Sequence, residues 1–247
     1  IVEPVDLRQA PAEMVALSFT DSDLAAIAAA WKAAGADGMP SLRLAPLRDL
    51  RHPMSVDLWI DRVARHAKVV LVRILGGYEW WRYGCDQLAA VARERGIRLA
   101  LLPGECREED PRLVEASTLD RGELDRLLSY FREGGPENMT GLVRRLSALA
   151  GHAADAVPAA EVARAGFYRP GHGVVAQPAT DGDFDATVPI LFYRSMLLAA
   201  DVAPIDALCA ALERDGLRPV PIFVASLKEP ASLAFVETAL ARLEPAA

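Results

Sequence analysis

Long hydrophobic runs are missing from this chain. No apolar stretch approaches the roughly 20 residues that cross a bilayer, so no membrane partner is expected. Positive charge is in short supply: 27 Lys and Arg stand against 34 Asp and Glu, for a net charge of −7. No basic patch with interleaved aromatics appears, which argues against nucleic acid as a partner. Cysteine is rare. Cys85, Cys106 and Cys209 are far apart, odd in number and without metal-ligand spacing. They fit reduced thiols in a cytoplasmic protein better than a disulfide framework. The sequence also lacks GK[ST], G-x-G-x-x-G, a nucleophile elbow with a serine-histidine-aspartate order, and zinc-type spacing. What it has is 247 residues with 52% apolar and 25% charged side chains, enough for a packed core in one large or two small domains.

The first half alternates strand and helix patterns. MVALSF (14–19) reads as a buried strand, followed by a Thr20–Asp23 capping pair and a helix whose inner face carries Leu24, Ile27, Ala28 and Trp31, ended at Gly35. Residues 41–45 form a short second strand, and Ser55 opens a helix with Val56, Trp59, Ile60 and Val63 inward. VVLVRI (69–74) is apolar almost throughout, as a central parallel strand covered on both faces would be. A helix with Cys85, Leu88, Ala89 and Ala92 inward stops at Gly96, and LALL (99–102) is a fourth strand. This spacing predicts βαβ units and a parallel, doubly wound α/β sheet of the flavodoxin or Rossmann kind. Two successive helices with no strand between them, broken at Gly134–Gly135–Pro136, predict an added αα hairpin. The expected domains are 1–150 for this unit, 151–185 for a linker and a turn-rich loop at GFYRPGHG, and 186–247 for the start of a second α/β lobe. In that lobe TVPILFY and VPIFVA are strands, and Ile205, Leu208, Cys209 and Leu212 mark one inner helix face. The first residue is isoleucine and the last pattern is helical with no strand after it, so the sequence is expected to be a truncated piece of a longer one, with the rest of the second sheet outside it.

The densest run of candidate site residues is 52–84, where a helix, a buried strand and a glycine-aromatic loop follow each other. Ligands in open α/β sheets lie past the carboxyl ends of strands. Gly76 and Gly77 admit either close approach of backbone to a ligand or a tight turn. Trp80, Trp81 and Tyr83 cluster in a chain with only 6% aromatics, and either stack on a flat ligand or pack on the sheet edge. Adjacent tryptophans do not easily point the same way, so one is expected to stay exposed. His52 precedes Pro53 and is read as a loop anchor sooner than a base or ligand. Arg73 interrupts an apolar strand and needs a partner, structural or ligand-borne. Arg194 ends a strand and grips either a carboxylate or a structural acid. Asp181, Asp183 and Asp185 begin like a calcium loop, but Ala186 and Phe192 break the pattern. These residues alone define no metal site and no catalytic set.

Four strings, taken together and in order, carry a resemblance: SLRLAPLRDLRHPMSVDLWIDRVARHAKVVLVRILGGYEWWRYG, LLPGE, FREGGPENM, and TVPILFYRSMLLAADVAPIDALCAALERDGLRPVPIFVASLK. They resemble the N-terminal part of the large subunit of aerobic, ATP-dependent cobaltochelatases, a family shared with the magnesium chelatase large subunit; HPMSVD and RILGG are nearer the cobalt type. The resemblance implies a metal-inserting ligase acting on a tetrapyrrole, hydrogenobyrinic acid a,c-diamide, in cobalamin synthesis. It implies Co2+ as the inserted metal and ATP on partner AAA+ subunits, with the remainder of the large subunit as a further partner. It implies no cofactor in this section, which alone is expected to be inactive, with tetrapyrrole contact at His52, Arg73, Gly76, Gly77, Trp80, Trp81, Tyr83 and Arg194. Two other classes compete: a two-lobed small-ligand receptor, and a module docking a partner through the αα hairpin.

Overall fold

The computed structural model describes residues 3–35, 38–104, 110–178, 182, 184–199 and 201–245. Cys106, Asp181 and Asp183 lie outside the described residues. The chain divides into two compact units, Ile1–Ala160 and Glu161–Ala247.

The first unit runs β1 (Met14–Ser18), α1 (Asp21–Ala33), β2 (Leu42–Pro46), α2 (Pro53–Arg62), β3 (Val69–Ile74), α3 (Gly77–Trp80), α4 (Arg82–Arg95), β4 (Arg98–Pro103), α5 (Pro111–Ala116), α6 (Arg121–Glu133) and α7 (Pro136–Leu149). Its four strands are all parallel, in the order β2-β1-β3-β4. β1 and β3 are buried at every position, which is why they read as apolar runs, with Ser18 and Arg73 the polar exceptions at their carboxyl ends. Their alternate side chains feed two helical layers. Val15, Leu17, Val70 and Val72 pack with Trp59 of α2 and Cys85 and Leu88 of α4. Met14, Ala16, Val69 and Leu71 pack with Ile27 of α1, Leu127 of α6 and Leu142 of α7. The sheet is therefore doubly wound, and the αα hairpin covers one face. Gly134 and Gly135, both at positive φ, make the turn between its helices, and Pro136 starts the second.

Two helix starts differ from the expectation. Pro53, at the first helical position, brings α2 forward, so His52 caps it and Ser55 sits inside it, its hydroxyl accepting from the Val5 amide at 2.7 Å. Thr20 does cap α1, but Asp23 turns away from it toward Ser18 and Arg73.

The second unit runs β5 (Ala165–Arg169), β6 (Gly173–Val175), β7 (Ala186–Tyr193), α8 (Arg194–Leu198), α9 (Ala203–Arg214), β8 (Leu217–Val224) and α10 (Pro230–Leu243). The sheet order is β6-β5-β8-β7; β7 and β8 are parallel, and β5 is antiparallel to both its neighbours. Residues 165–175, expected to be linker and loop, are a β-hairpin. Its strands are too short for a periodic signal, yet Phe167 and Tyr168 are buried on opposite faces. The stretch 151–160 belongs with the first unit, not with a linker. Among the described residues no helix is long and apolar enough to cross a membrane.

Both described cysteines are buried. Burial pushes the Cys85 thiol up to about 12 and the Cys209 thiol up to about 11. Reactivity requires the thiolate, which at pH 8 is then scarce. Iodoacetamide at pH 8 is expected to leave both unmodified in the native chain and to label both in urea; peptide mass mapping reads the difference, and rapid native labelling of either would contradict its placement.

Candidate functional site

In a doubly wound sheet the ligand crevice opens where strand order reverses, here between the carboxyl ends of β1 and β3. Ser18 and Arg73 are register partners at those ends. Arg73 is buried, and its guanidinium donates through Nη1 to Asp23 Oδ2 at 2.8 Å and through Nη2 to the Gly104 carbonyl at 2.7 Å. Ser18 Oγ donates to the same Asp23 oxygen at 2.6 Å. The Phe131 ring lies 4.4 Å from the guanidinium carbon and the Phe19 ring 5.4 Å. Arg73 thus finds its partners inside the unit. It ties β3 to the first turn of α1 and to the residue that follows β4, and it closes the crevice with protein.

The glycine-aromatic loop is built against the segment that precedes and forms α2. Gly76 and Gly77 both hold positive φ, 85° and 71°. A Cβ on Gly77 would sit 2.6 Å from Asp110 Oδ2, the oxygen that accepts the Tyr78 amide at 2.7 Å. The glycines therefore serve a tight turn clamped by Asp110, which also caps α5 by accepting from the Arg112 amide. Trp81 is buried and donates from Nε1 to the Leu50 carbonyl at 2.7 Å, with its ring over Gly84. Trp80 is 44% exposed, with the Arg51 guanidinium 5.5 Å from its ring. Tyr83 is 40% exposed and donates its hydroxyl to Asp57 at 2.8 Å, and that bond raises the phenol pKa. Half-buried His52 accepts the Met54 amide on Nδ1 at 3.1 Å, a helix cap and not a base in waiting.

Arg194, in the second unit, is also buried. It donates to the Ala163 carbonyl from Nε at 3.0 Å and to the Val162 carbonyl from Nη2 at 2.9 Å. Neither sequence expectation, carboxylate grip or ion pair, names these partners; they are main-chain oxygens about 30 residues away.

A cavity of 370 Å³ that the sequence did not disclose lies beside α4 and α5, lined by Tyr78, Asp86, Arg93, Arg112 and Glu115. Tyr78 donates a short hydrogen bond to Asp86, which raises its pKa, and the Arg112 guanidinium stacks 4.0 Å over its ring while pairing with Glu79. The lining charges are mixed and largely neutralise each other. Among the described residues no three His, Cys, Asp or Glu side chains gather as metal ligands.

Fold and geometry define a two-unit α/β protein whose first unit is doubly wound, with the charged residue at its switch point engaged internally. Residues 128–245 match the family model described as CobN/Magnesium Chelatase. The chain is 38% identical over 254 residues to the aerobic cobaltochelatase subunit CobN of a Sinorhizobium species, covering 98% of this chain and 20% of that protein. It is 41% identical over 249 residues to the subunit of the same name from Pseudomonas aeruginosa, covering 97% and 19%. The catalytic subunit of cobaltochelatase from Mycobacterium tuberculosis has a similar structure, with a TM-score of 0.62 at 27% identity, covering 90% of this chain and 17% of that one. The chain spans about a fifth of the length of the curated relatives it matches. It belongs to the CobN/magnesium chelatase family.

Proposed function

We propose that this chain is the N-terminal section of a cobaltochelatase large subunit. The whole subunit inserts Co2+ into hydrogenobyrinic acid a,c-diamide in the cytoplasm, while partner AAA+ subunits hydrolyse ATP. The observation that carries this reading is identity of 38–41% sustained over 97–98% of the chain. Insertion strips water from the ion, bends the macrocycle and removes its inner N–H protons, which calls for metal ligands and a base. The section supplies none of these steps in this reading. His52, Arg73, Trp81 and Arg194 make hydrogen bonds within it, as a supporting wall or docking body requires. Metal handling belongs to the remainder of the subunit.

Trp80 and Tyr83 are the residues left facing outward, and in this reading they meet the macrocycle or an adjoining domain. The test is cobalt insertion by the full-length subunit with its ATPase partners, ATP and the corrinoid, followed by absorbance. The wild type is expected to insert cobalt, and the 247-residue chain with the same partners is not. Cobalt insertion by the short chain alone would overturn the supporting role; no cobalt insertion by the full-length complex would overturn the activity. In the full-length subunit, Trp80→Ala with Tyr83→Ala is expected to raise KM for the corrinoid by about tenfold, the worth of one or two lost aromatic contacts. An unchanged KM and kcat would remove both residues from the site.

A further inference from the structure

We propose that the outer edge of β7 receives a parallel strand, and that in the large subunit this strand comes from the polypeptide that follows α10. The second half of the statement rests on the function proposed above; the first rests on topology.

β7 is eight residues long and pairs on one side only, with β8; along its other edge no strand lies among the described residues. An open edge of this length is a template for another strand. Ile190 and Phe192 of β7 pack with Ile205 and Cys209 of α9. The pleat sends Leu191 and Tyr193 to the opposite face. That is the face of α10, whose apolar side meets Phe167, Val220, Ile222 and Val224. Leu191 and Tyr193 are left 44% and 60% exposed.

Handedness selects the edge. Crossovers between parallel strands are right-handed in nearly all cases. α9 lies on one face of the sheet and leads from β7 to β8. α10 lies on the other face, so a right-handed crossover from β8 through α10 runs the opposite way, back past β7. The far edge of β8 is already occupied by β5. The landing place is the free edge of β7.

The first unit contains the same arrangement completed. There α1 and α2 lie on opposite faces, and the strand after α2, β3, pairs in parallel with the other edge of β1. β7-α9-β8-α10 repeats β1-α1-β2-α2, and the proposed strand takes the place of β3. Pro189 removes one donor from β7, but β8 is central and tolerates Pro219 and Pro221. A second copy is the poorer occupant, because a two-fold axis would set two β7 edges antiparallel. A fivefold difference in length between the relatives and this chain gives a same-chain strand ample source.

Hydrogen exchange of peptides covering residues 186–193 tests this, comparing the full-length large subunit with the 247-residue chain. The edge amides are expected to exchange about tenfold or more slowly in the full-length subunit, and at a rate independent of protein concentration in the short chain. Equal rates in the two proteins would overturn the proposal. So would protection in the short chain that grows with concentration, the mark of self-pairing. A full-length subunit that inserts cobalt but leaves these amides fast defeats this inference alone; slow amides in a subunit that inserts no cobalt defeat the functional reading alone.

Discussion

Replacing Arg73 by alanine is expected to destabilise the first unit by about 3–5 kcal/mol, the usual cost of removing one partner from a buried ion pair. The pair is almost fully enclosed, with side-chain exposures of 6% and 15% for Arg73 and Asp23. Truncation leaves the Asp23 carboxylate with Ser18 but without its cation, strips the Gly104 carbonyl of a donor, and opens a void beneath Phe19 and Phe131. Arg73→Lys is expected to recover little, because an ammonium has no planar fork with which to reach Asp23 and Gly104 together. Arg73→Met combined with Asp23→Leu is expected to recover much of the loss, since a buried pair replaced by apolar groups leaves no orphaned charge. All four tryptophans, at 31, 59, 80 and 81, belong to the first unit, so urea titration by tryptophan fluorescence reports on that unit alone. A loss below about 1 kcal/mol for the alanine variant would mean that Arg73 is held for another purpose.

Two neighbouring tryptophans are expected to respond very differently. Trp81→Ala should cost about 3–5 kcal/mol, as the removal of a large enclosed aromatic does. It empties the contact between α2 and α4 and leaves the Leu50 carbonyl without its indole donor. Trp80→Ala, with 44% of its surface in solvent, should cost less than about 1 kcal/mol. Gly84→Ala offers a check that keeps the indole: an added methyl would overlap the Trp81 ring, and displacing it should cost about 1–3 kcal/mol. The same urea titration separates the three variants. Equal losses for the two tryptophans would show that the burial of Trp81 does not carry the loop.

The strands of the first unit were legible because a parallel strand with helices on both faces is apolar along most of its length, as Met14–Ser18 and Val69–Ile74 are apart from Ser18 and Arg73. The αα hairpin was legible from two leucine faces and a Gly-Gly-Pro break. The β5–β6 hairpin was not, because five residues and three residues around a proline-glycine turn carry no periodicity that separates them from a loop. In the candidate site, residue types were legible and partners were not. The sequence called for a partner to Arg73 but had no means of naming Asp23, fifty positions earlier, or the carbonyl of Gly104. It called for one tryptophan to turn outward; the choice between them fell to the Leu50 carbonyl and to the absence of a side chain at Gly84. The cavity beside Tyr78 joins α3, α4 and α5; the carboxylate of Asp110 holds the first and last of these, and the Tyr78 hydroxyl reaches Asp86 of α4.

The polypeptide after α7 bears on how the first unit can be cut free. Asn138, buried in α7, donates to the Ala160 carbonyl at 2.9 Å and accepts from the Ala160 amide at 2.8 Å, and Tyr130 donates to the Val157 carbonyl at 2.5 Å. Ten residues without regular structure are thereby stitched along the hairpin like a seam. A gene fragment trimmed at Ala150, where the helical pattern fades, would unpick that seam, leaving the Asn138 amide with the Gly134 carbonyl alone and the Tyr130 phenol without its Val157 acceptor. A fragment carried through Ala160 keeps every stitch.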